Sequence, residues 1–423
     1  MGFFAGSITL SRLTPILLAV VLAGCFSFSP ATGDAAAFAR NAVSAQRTNV
    51  RVSVAVLDDQ EEEHYFGRPL ANKGIQAVWL RIENNNSFPL WLMPRATDPD
   101  YFSALETSYL GHLPFAKHTN QEMDSFFRAH AIARLVPPHR TNTGFLFTNL
   151  SEGAKFVNIE LWHTRGAINI GFFLQLPNGR FDYEAIEFDD LYPTVQRKAL
   201  TLDELRKRLE HLQCCVTGRT GQPGDPLNVV LVASQATIFS ALVEQNWDPT
   251  HTMATASVGR TISSFLSGAR YRYSPVSPLY LFGRQQDIAV QKARGTIHQR
   301  NHMRLWLSPY TYQGRDVWVG QVSRDIGVRF TLASPFLTTH KIDPDVDESR
   351  DYLVEDLIAG EAVRALALVK GVGASRPAHP ARNLTGDPYF TDGMRAVLFL
   401  SDQSVPIDKV DFIPWENLPL DRH

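Results

Sequence analysis

The sequence predicts an α+β protein, with a β-sandwich followed by a mixed α+β domain. Two observations carry the division. Up to about residue 176, short runs alternate apolar and polar residues between turn clusters, as strands with one buried face do. Beyond about residue 224, fully apolar strands mix with capped helical stretches, without the regular βαβ rhythm of a parallel sheet. The 423 residues are 44% hydrophobic and 20% charged, with net charge −2. That is ordinary globular composition. Near-neutral charge argues against a nucleic-acid binder, which needs a basic surface to neutralise phosphates.

The first segment, residues 1–24, reads as a signal peptide. Arg12 precedes the apolar run Leu13 to Leu22, and Leu22-Ala23-Gly24-Cys25 closes it. A positive residue, a short apolar core and small residues make a secretory signal, too short for a comfortable membrane span. The last four residues follow the pattern of a bacterial lipoprotein signal, in which the Cys25 thiol carries the acyl chains. Several acyl chains give stable anchoring. Phe26 rather than Asp follows the cysteine, which favours the periplasmic face of an outer membrane in a Gram-negative source. Residues 25–48 are rich in Ala, Ser and Thr and read as a flexible tether.

Residues 49–195 read as the sandwich. Val52, Val54 and Val56 alternate with Arg51, Ser53 and Ala55, and Val78, Leu80 and Ile82 share a face of the next strand. Asn84-Asn85-Asn86-Ser87 is a turn, and strands resume at Phe88, Gly144, Lys155 and Ile168. Phe126, Phe127 and His130 lie at helical spacing, predicting a helix between Asn120 and Arg134,. His112, His118, His130, His139 and His163 show no ligand spacing and read as surface or capping residues.

Residues 196–223 form a helix and linker. Thr201-Leu202-Asp203-Glu204 is a capping-box pattern,, opening a helix through about Gln213. Cys214 and Cys215 are adjacent. Oxidation would close a strained eight-membered ring, so they make no disulfide framework, and they read as two small, partly buried side chains. Residues 224–403 form the second domain. Its expected elements are a strand at Leu227 to Val232, a Ser234-capped helix to Asn246 and a helix around 255–266. Strands follow at Pro278 to Phe282, Thr296 to Leu307 and Asp316 to Val322. Val346 to Val369 reads as a helix interrupted at Gly360, with a late strand at Met394 to Leu400 and a tail over 404–423.

The candidate site lies on the Thr296 to Leu307 strand. His298, Arg300, His302 and Arg304 occupy every second position, which places them on one face of a strand. So much positive charge on one face requires anions opposite it. Arg284 to Arg304 carries net +4, and His340 to Asp356 carries net −5. The two blocks could neutralise each other. Alternatively, Arg284, Lys292, Arg294, Arg300, His302, Arg304 and Arg324 form the cationic side of a ligand site, since guanidinium forks match phosphate and carboxylate oxygens.

Sharper motifs are weaker. Asp343-Pro344-Asp345-Val346-Asp347 begins like a calcium-binding loop, but the sixth position is Glu348 and the twelfth Val354, where Gly and Glu are needed. His298 and His302 would lie roughly 13 Å apart on a strand, too far to share an ion. A metal nucleus, if any, is His340 with Asp343 or Asp345. Catalytic candidates are His302 or His340 as acid/base with Asp343. No cofactor is implied.

The ordered run from Leu227-Asn228-Val229 through Ser277-Pro278-Leu279-Tyr280, Arg300-Asn301-His302-Met303-Arg304-Leu305-Trp306, Ser323-Arg324-Asp325 and His340-Lys341-Ile342-Asp343-Pro344-Asp345 resembles the LssY C-terminal domain family. The likeness covers about Gly224 to Ser401. Some members fuse this domain to a membrane-embedded phosphatidic-acid-phosphatase-like domain. The family has no established catalytic residues, so the resemblance implies context rather than mechanism. The N-terminal half resembles immunoglobulin-like modules of envelope lipoproteins, with lower specificity. Together these readings imply an envelope protein anchored to the membrane by lipid, binding an anionic, phosphate-bearing partner. The alternatives are a phosphate-ester hydrolase, and a structural protein whose charges pair internally.

Overall fold

The computed structural model describes residues 28–31, 36–151, 154–176, 191–192, 197–249, 278–293, 300–330 and 338–416. The expected signal with Cys25, the helix over 255–266, Arg294 and His298 lie outside the described residues. By contacts the chain divides differently from the expected segments. One unit comprises Met1–Pro89 with Asp100–Leu150, and the other Leu90–Pro99 with Ser151–His423.

The first unit contains an antiparallel sheet in the order Val43–Arg47, Val50–Val56, Ile75–Asn84, Arg140–Asn149. Val52, Val54, Leu80 and Ile82 are buried on one face, as their alternation predicts,. The other face packs an aromatic core. Trp79, Phe145 and Phe147 meet Phe66 and Phe127, which come from helices Asp59–Phe66 and Lys117–His130. The Phe66 and Phe127 rings stack with centroids 5.0 Å apart. The second helix is the one expected at Asn120 to Arg134. The first was missed, although Asp58 and Glu61 form its capping box,. Gly144 permits a close crossing, since a Cβ there would lie 2.7 Å from the Ile132 backbone nitrogen.

The second unit holds a smaller antiparallel arrangement, Leu90–Leu92 beside Ala154–His163 beside Gly166–Gln175, and a large mixed sheet. Its described order is Asp248–Pro249, Ile288–Ala293, Arg300–Tyr312, Arg315–Phe330, Val229–Val232, Met394–Leu400, Val363–Lys370, Asp411–Ile413. Helices Gln235–Glu244 and Val346–Ala359 cover one face through Phe239, Leu242, Leu353 and Leu357 against Met303, Leu305 and Leu398. Leu205 and Leu209 of helix Leu202–Glu210 pack against Val230, Val232, Val397 and Phe399. Thr201 and Glu204 form the expected capping box at the start of that helix, and Ser234 caps the helix after the first strand.

One element is corrected. Val346 to Val369 is not one interrupted helix: the helix ends at Ala359, and Val363–Lys370 is a strand between Met394–Leu400 and Asp411–Ile413. Its near-continuous apolar run is what an interior strand requires, and such a run carries no period to separate it from a helix. Helices and mixed-direction strands together make the protein α+β. Among the described residues, no helix is long and apolar enough to cross a membrane.

Candidate functional site

Pairing between Arg300–Tyr312 and Arg315–Phe330 builds the site. Arg300 stands opposite Asp325, His302 opposite Ser323, Arg304 opposite Gln321, and Trp306 opposite Val319. Directly opposed residues share a face, so a second polar ladder, Gln321, Ser323 and Asp325, lies beside the first. The alternation of Gln321-Val322-Ser323-Arg324-Asp325 was visible in the sequence. What the sequence lacked was the register joining the two strands. On the opposite face, Met303 and Leu305 enter the helix-covered core.

The two ladders bond to one another. Arg300 Nε donates to Asp325 Oδ2 at 3.0 Å, and its Nη1 donates to Gln291 Oε1. Arg304 Nη1 donates to Gln321 Oε1 at 3.0 Å, and Gln321 Nε2 donates to Ser323 Oγ at 2.8 Å. His302 sits between them, with Nε2 3.0 Å from Asp325 Oδ1 and Nδ1 3.2 Å from Arg304 Nη1. A guanidinium can only donate, so Nδ1 accepts and the imidazole proton resides on Nε2, facing Asp325. Ser323 Oγ lies 3.3 Å from that same Nε2, closer than its 3.5 Å to Nδ1, which Arg304 already occupies. A Ser-His-Asp relay needs hydroxyl and carboxylate on different ring nitrogens, so this arrangement does not make one.

All of these side chains are buried. Burial pushes the His302 pKa down, and Arg304 and Arg300 push the same way against the pull of Asp325,. The imidazole is therefore held neutral, which agrees with its accepting from Arg304. At the margin stands Asp225, only partly covered, on strand Pro223–Pro226. Its carboxyl is pushed up by desolvation, opposed by the Arg304 charge, a hydrogen bond from Asn383 and the nearby His302. Asn383 Nδ2 donates to Asp225 Oδ1 at 3.1 Å. Sequence reading missed Asp225 and Asn383, since both reach the site from distant loops or short edge strands.

Among the described residues, Lys292, Arg324 and Arg284 have their partners elsewhere. Lys292 stands opposite Asn301, and its ammonium holds both Asp356 oxygens at 2.8 and 2.9 Å. Arg324 donates to Asn301 Oδ1 at 3.1 Å, and Lys292 and Arg324 both lie 5.3 Å from the Tyr352 ring centre. Since Asn301 is out of phase with His302, this second group occupies the helix-covered side of the sheet. Arg284 grips both oxygens of Asp287 at 2.7 and 2.6 Å and also donates to Tyr192. The described residues of the list read from sequence thus fall into three separate groups.

Asp356 of the acidic block pairs with Lys292, on the helix-covered side of the sheet rather than on the ladder face. The centre of that block encloses Arg350, fully buried, which donates to Asp347, Asp351 and Asp392 at 2.8–3.1 Å. Asp343 Oδ1 accepts from the Asp345 amide, and Asp345 Oδ1 from the Asp347 amide, so both carboxylates serve the turn into helix Val346–Ala359. Among the described residues, no three His, Cys, Asp or Glu side chains converge as a metal site. The side chain of His340 lies outside the described residues.

Cys214 and Cys215 correct the expectation of two independent small side chains, because they are joined by a disulfide. The loop before them is held by Arg395, fully buried. Its guanidinium donates to the carbonyls of Leu209, Leu212, Gln213, Leu227 and Gly371. Burial lowers the Arg395 pKa to about 10.

Residues 207–394 match the family model described as LssY C-terminus, in agreement with the motif resemblance. The match covers a little under half of the chain. No curated protein matches the chain.

Proposed function

We propose that this is a lipid-anchored envelope protein whose LssY domain binds an anionic, phosphate-bearing ligand at the face formed by Arg300, His302 and Arg304. One observation carries the reading. Buried guanidiniums, a neutral imidazole and the partly accessible, ionisation-resistant carboxyl of Asp225 converge at one margin of the sheet. Guanidinium groups suit phosphate oxygens, and a carboxyl whose ionisation is opposed by desolvation repels such a ligand less than a free carboxylate would,. The ligand set is narrower than the sequence suggests, because Arg284, Lys292 and Arg324 each have partners elsewhere.

In this reading Cys25 is the acylated anchor, residues 25–48 the tether, and the outer membrane the site. The N-terminal half is an immunoglobulin-like spacer, a view supported by its antiparallel strands and the buried valines of Val50–Val56.

The test titrates the full chain with inorganic phosphate, and separately with vesicles of phosphatidic acid or neutral lipid. Arg300→Gln and Arg304→Gln variants should weaken binding at least tenfold while unfolding cooperatively. Wild-type affinity in both folded variants would sink the proposal. Intact mass of membrane-extracted protein reports the Cys25 acyl chains, and Cys25→Ser should release the protein from membranes.

The pairing of Arg300 with Asp325 favours a second reading, in which the ladder is purely structural. Buried pairs of this type lose several kcal/mol when one partner is removed. Under that reading the same variants lower stability, and neither phosphate nor anionic vesicles bind at all.

A further inference from the structure

The disulfide between Cys214 and Cys215 joins neighbours. Cross-linking stabilises mainly by restricting the unfolded chain, and more so for longer loops. A loop of adjacent residues restricts almost nothing, so stapling the fold does not account for this bond. Its placement suggests another use. Cys214 is exposed and Cys215 is buried, so one sulfur is open to attack and the other is shielded. The Cys215 Sγ lies 3.9 Å from the Tyr389 hydroxyl.

The surrounding backbone is fixed on both sides. Upstream, Arg395 holds the Leu212 and Gln213 carbonyls. The Gln213 side chain donates to the Cys215 carbonyl at 2.6 Å, and the Leu227 amide donates to the Cys214 carbonyl at 2.8 Å. Across the strand pair, Cys215 stands opposite Pro226 and Thr217 opposite Pro223, with a register shift between them. The shift falls between Cys215 and Thr217, directly after the cysteine pair, and the extra residue is on the partner strand,. The partner strand carries Asp225.

We propose that Cys214–Cys215 is a thiol-exchange switch that sets the pairing of Cys215–Thr217 with Pro223–Pro226, and through it the position of Asp225. The reductant is a dithiol, either a protein with a Cys-x-x-Cys site or a small molecule. Its thiolate attacks the exposed Cys214 sulfur, forming a mixed disulfide and expelling the Cys215 thiolate, to which the Tyr389 hydroxyl can donate. The second thiol of the reductant, as thiolate, then attacks its own sulfur in the mixed disulfide and expels Cys214. Two electrons pass to the protein, both sulfurs take up protons, and the reductant leaves as a disulfide. The reverse sequence reoxidises the pair. The switch does not depend on whether the His302 face binds an anion.

The test uses the full chain. Trypsin releases residues 209–219 as one peptide containing both cysteines. After equilibration with glutathione disulfide that peptide should be two hydrogens lighter than the dithiol form and resist alkylation, and dithiothreitol should permit two alkylations. Hydrogen exchange of amides over 215–227 should become several-fold faster on reduction, while the core strand Met394–Leu400 stays unchanged. The Cys214→Ser, Cys215→Ser double variant should exchange like reduced protein and ignore dithiothreitol. Two alkylations under oxidising conditions would overturn the disulfide. Identical exchange in oxidised and reduced wild type would overturn the switch, and both results can be read from wild type even if the variant fails to fold.

Discussion

Replacing Glu244 with glutamine should change how stability depends on pH. Glu244 ends helix Gln235–Glu244, and its Oε1 accepts from the fully buried Asn158 amide at 2.8 Å. Burial raises its pKa from 4.5 to about 8, and neighbouring Glu160 adds to the rise, against the Asn158 hydrogen bond and Arg95. Burial also pushes up Glu160. In the unfolded chain Glu244 loses its proton near the ordinary value, whereas in the folded chain it keeps the proton until about pH 8. Between those values the unfolded state releases the proton first, so stability falls as pH rises. A shift of about 3.5 units corresponds to roughly 5 kcal/mol at 1.36 kcal/mol per unit. Partial exposure and coupling to Glu160 reduce the expected effect to about 2–4 kcal/mol. Glutamine keeps an acceptor for Asn158 and cannot ionise. Urea unfolding of both proteins from pH 4.5 to 9 should give similar stabilities at the acid end, and a more stable variant above pH 8. If Glu244→Gln retains the full wild-type slope, Glu244 is not held protonated and the reasoning fails.

Arg350→Met leaves Asp347 and Asp392 facing each other in a buried site, and should cost about 3–5 kcal/mol in urea unfolding; a loss under 1 kcal/mol would contradict the pairing. Thr201→Ala removes the capping box of helix Leu202–Glu210 and should cost about 1 kcal/mol, seen as a lower thermal midpoint. Gly144→Ala forces a methyl against the Ile132 backbone, so about 1–3 kcal/mol should be lost, and unchanged calorimetric stability would show that the crossing relaxes.

Local signals carried well into the fold. The strand at Met394–Leu400, the capping box at Thr201 and Glu204 and the Ser234 cap are local hydrogen-bond or period signals, legible without tertiary contacts. Val363–Lys370 was misread because its apolar centre, Ala365 to Val369, shows no alternation of residue type and directly follows a helical run,. In the site, the period of two placed Arg300, His302 and Arg304 on one face correctly. It could not identify what lay opposite, because Asp325 is set by strand register and Asp225 by a separate edge strand. Lys292 and Arg324 were grouped with the ladder by charge and nearness in sequence, yet strand parity sends them to the other side of the sheet.

The sequence by itself determined the side-chain alternation, the helix caps, the likeness to the LssY domain and the presence of a concentrated positive face. Those properties depend on neighbours along the chain, and backbone geometry converts spacing directly into direction. Only the tertiary structure decided that the face meets Asp325 and the margin at Asp225, and that Asp347 and Asp351 of the acidic block turn to Arg350. Charge pairing inside a protein depends on distance and desolvation. Both are set by strand register and loop return, and neither is written in the spacing of residues along one strand.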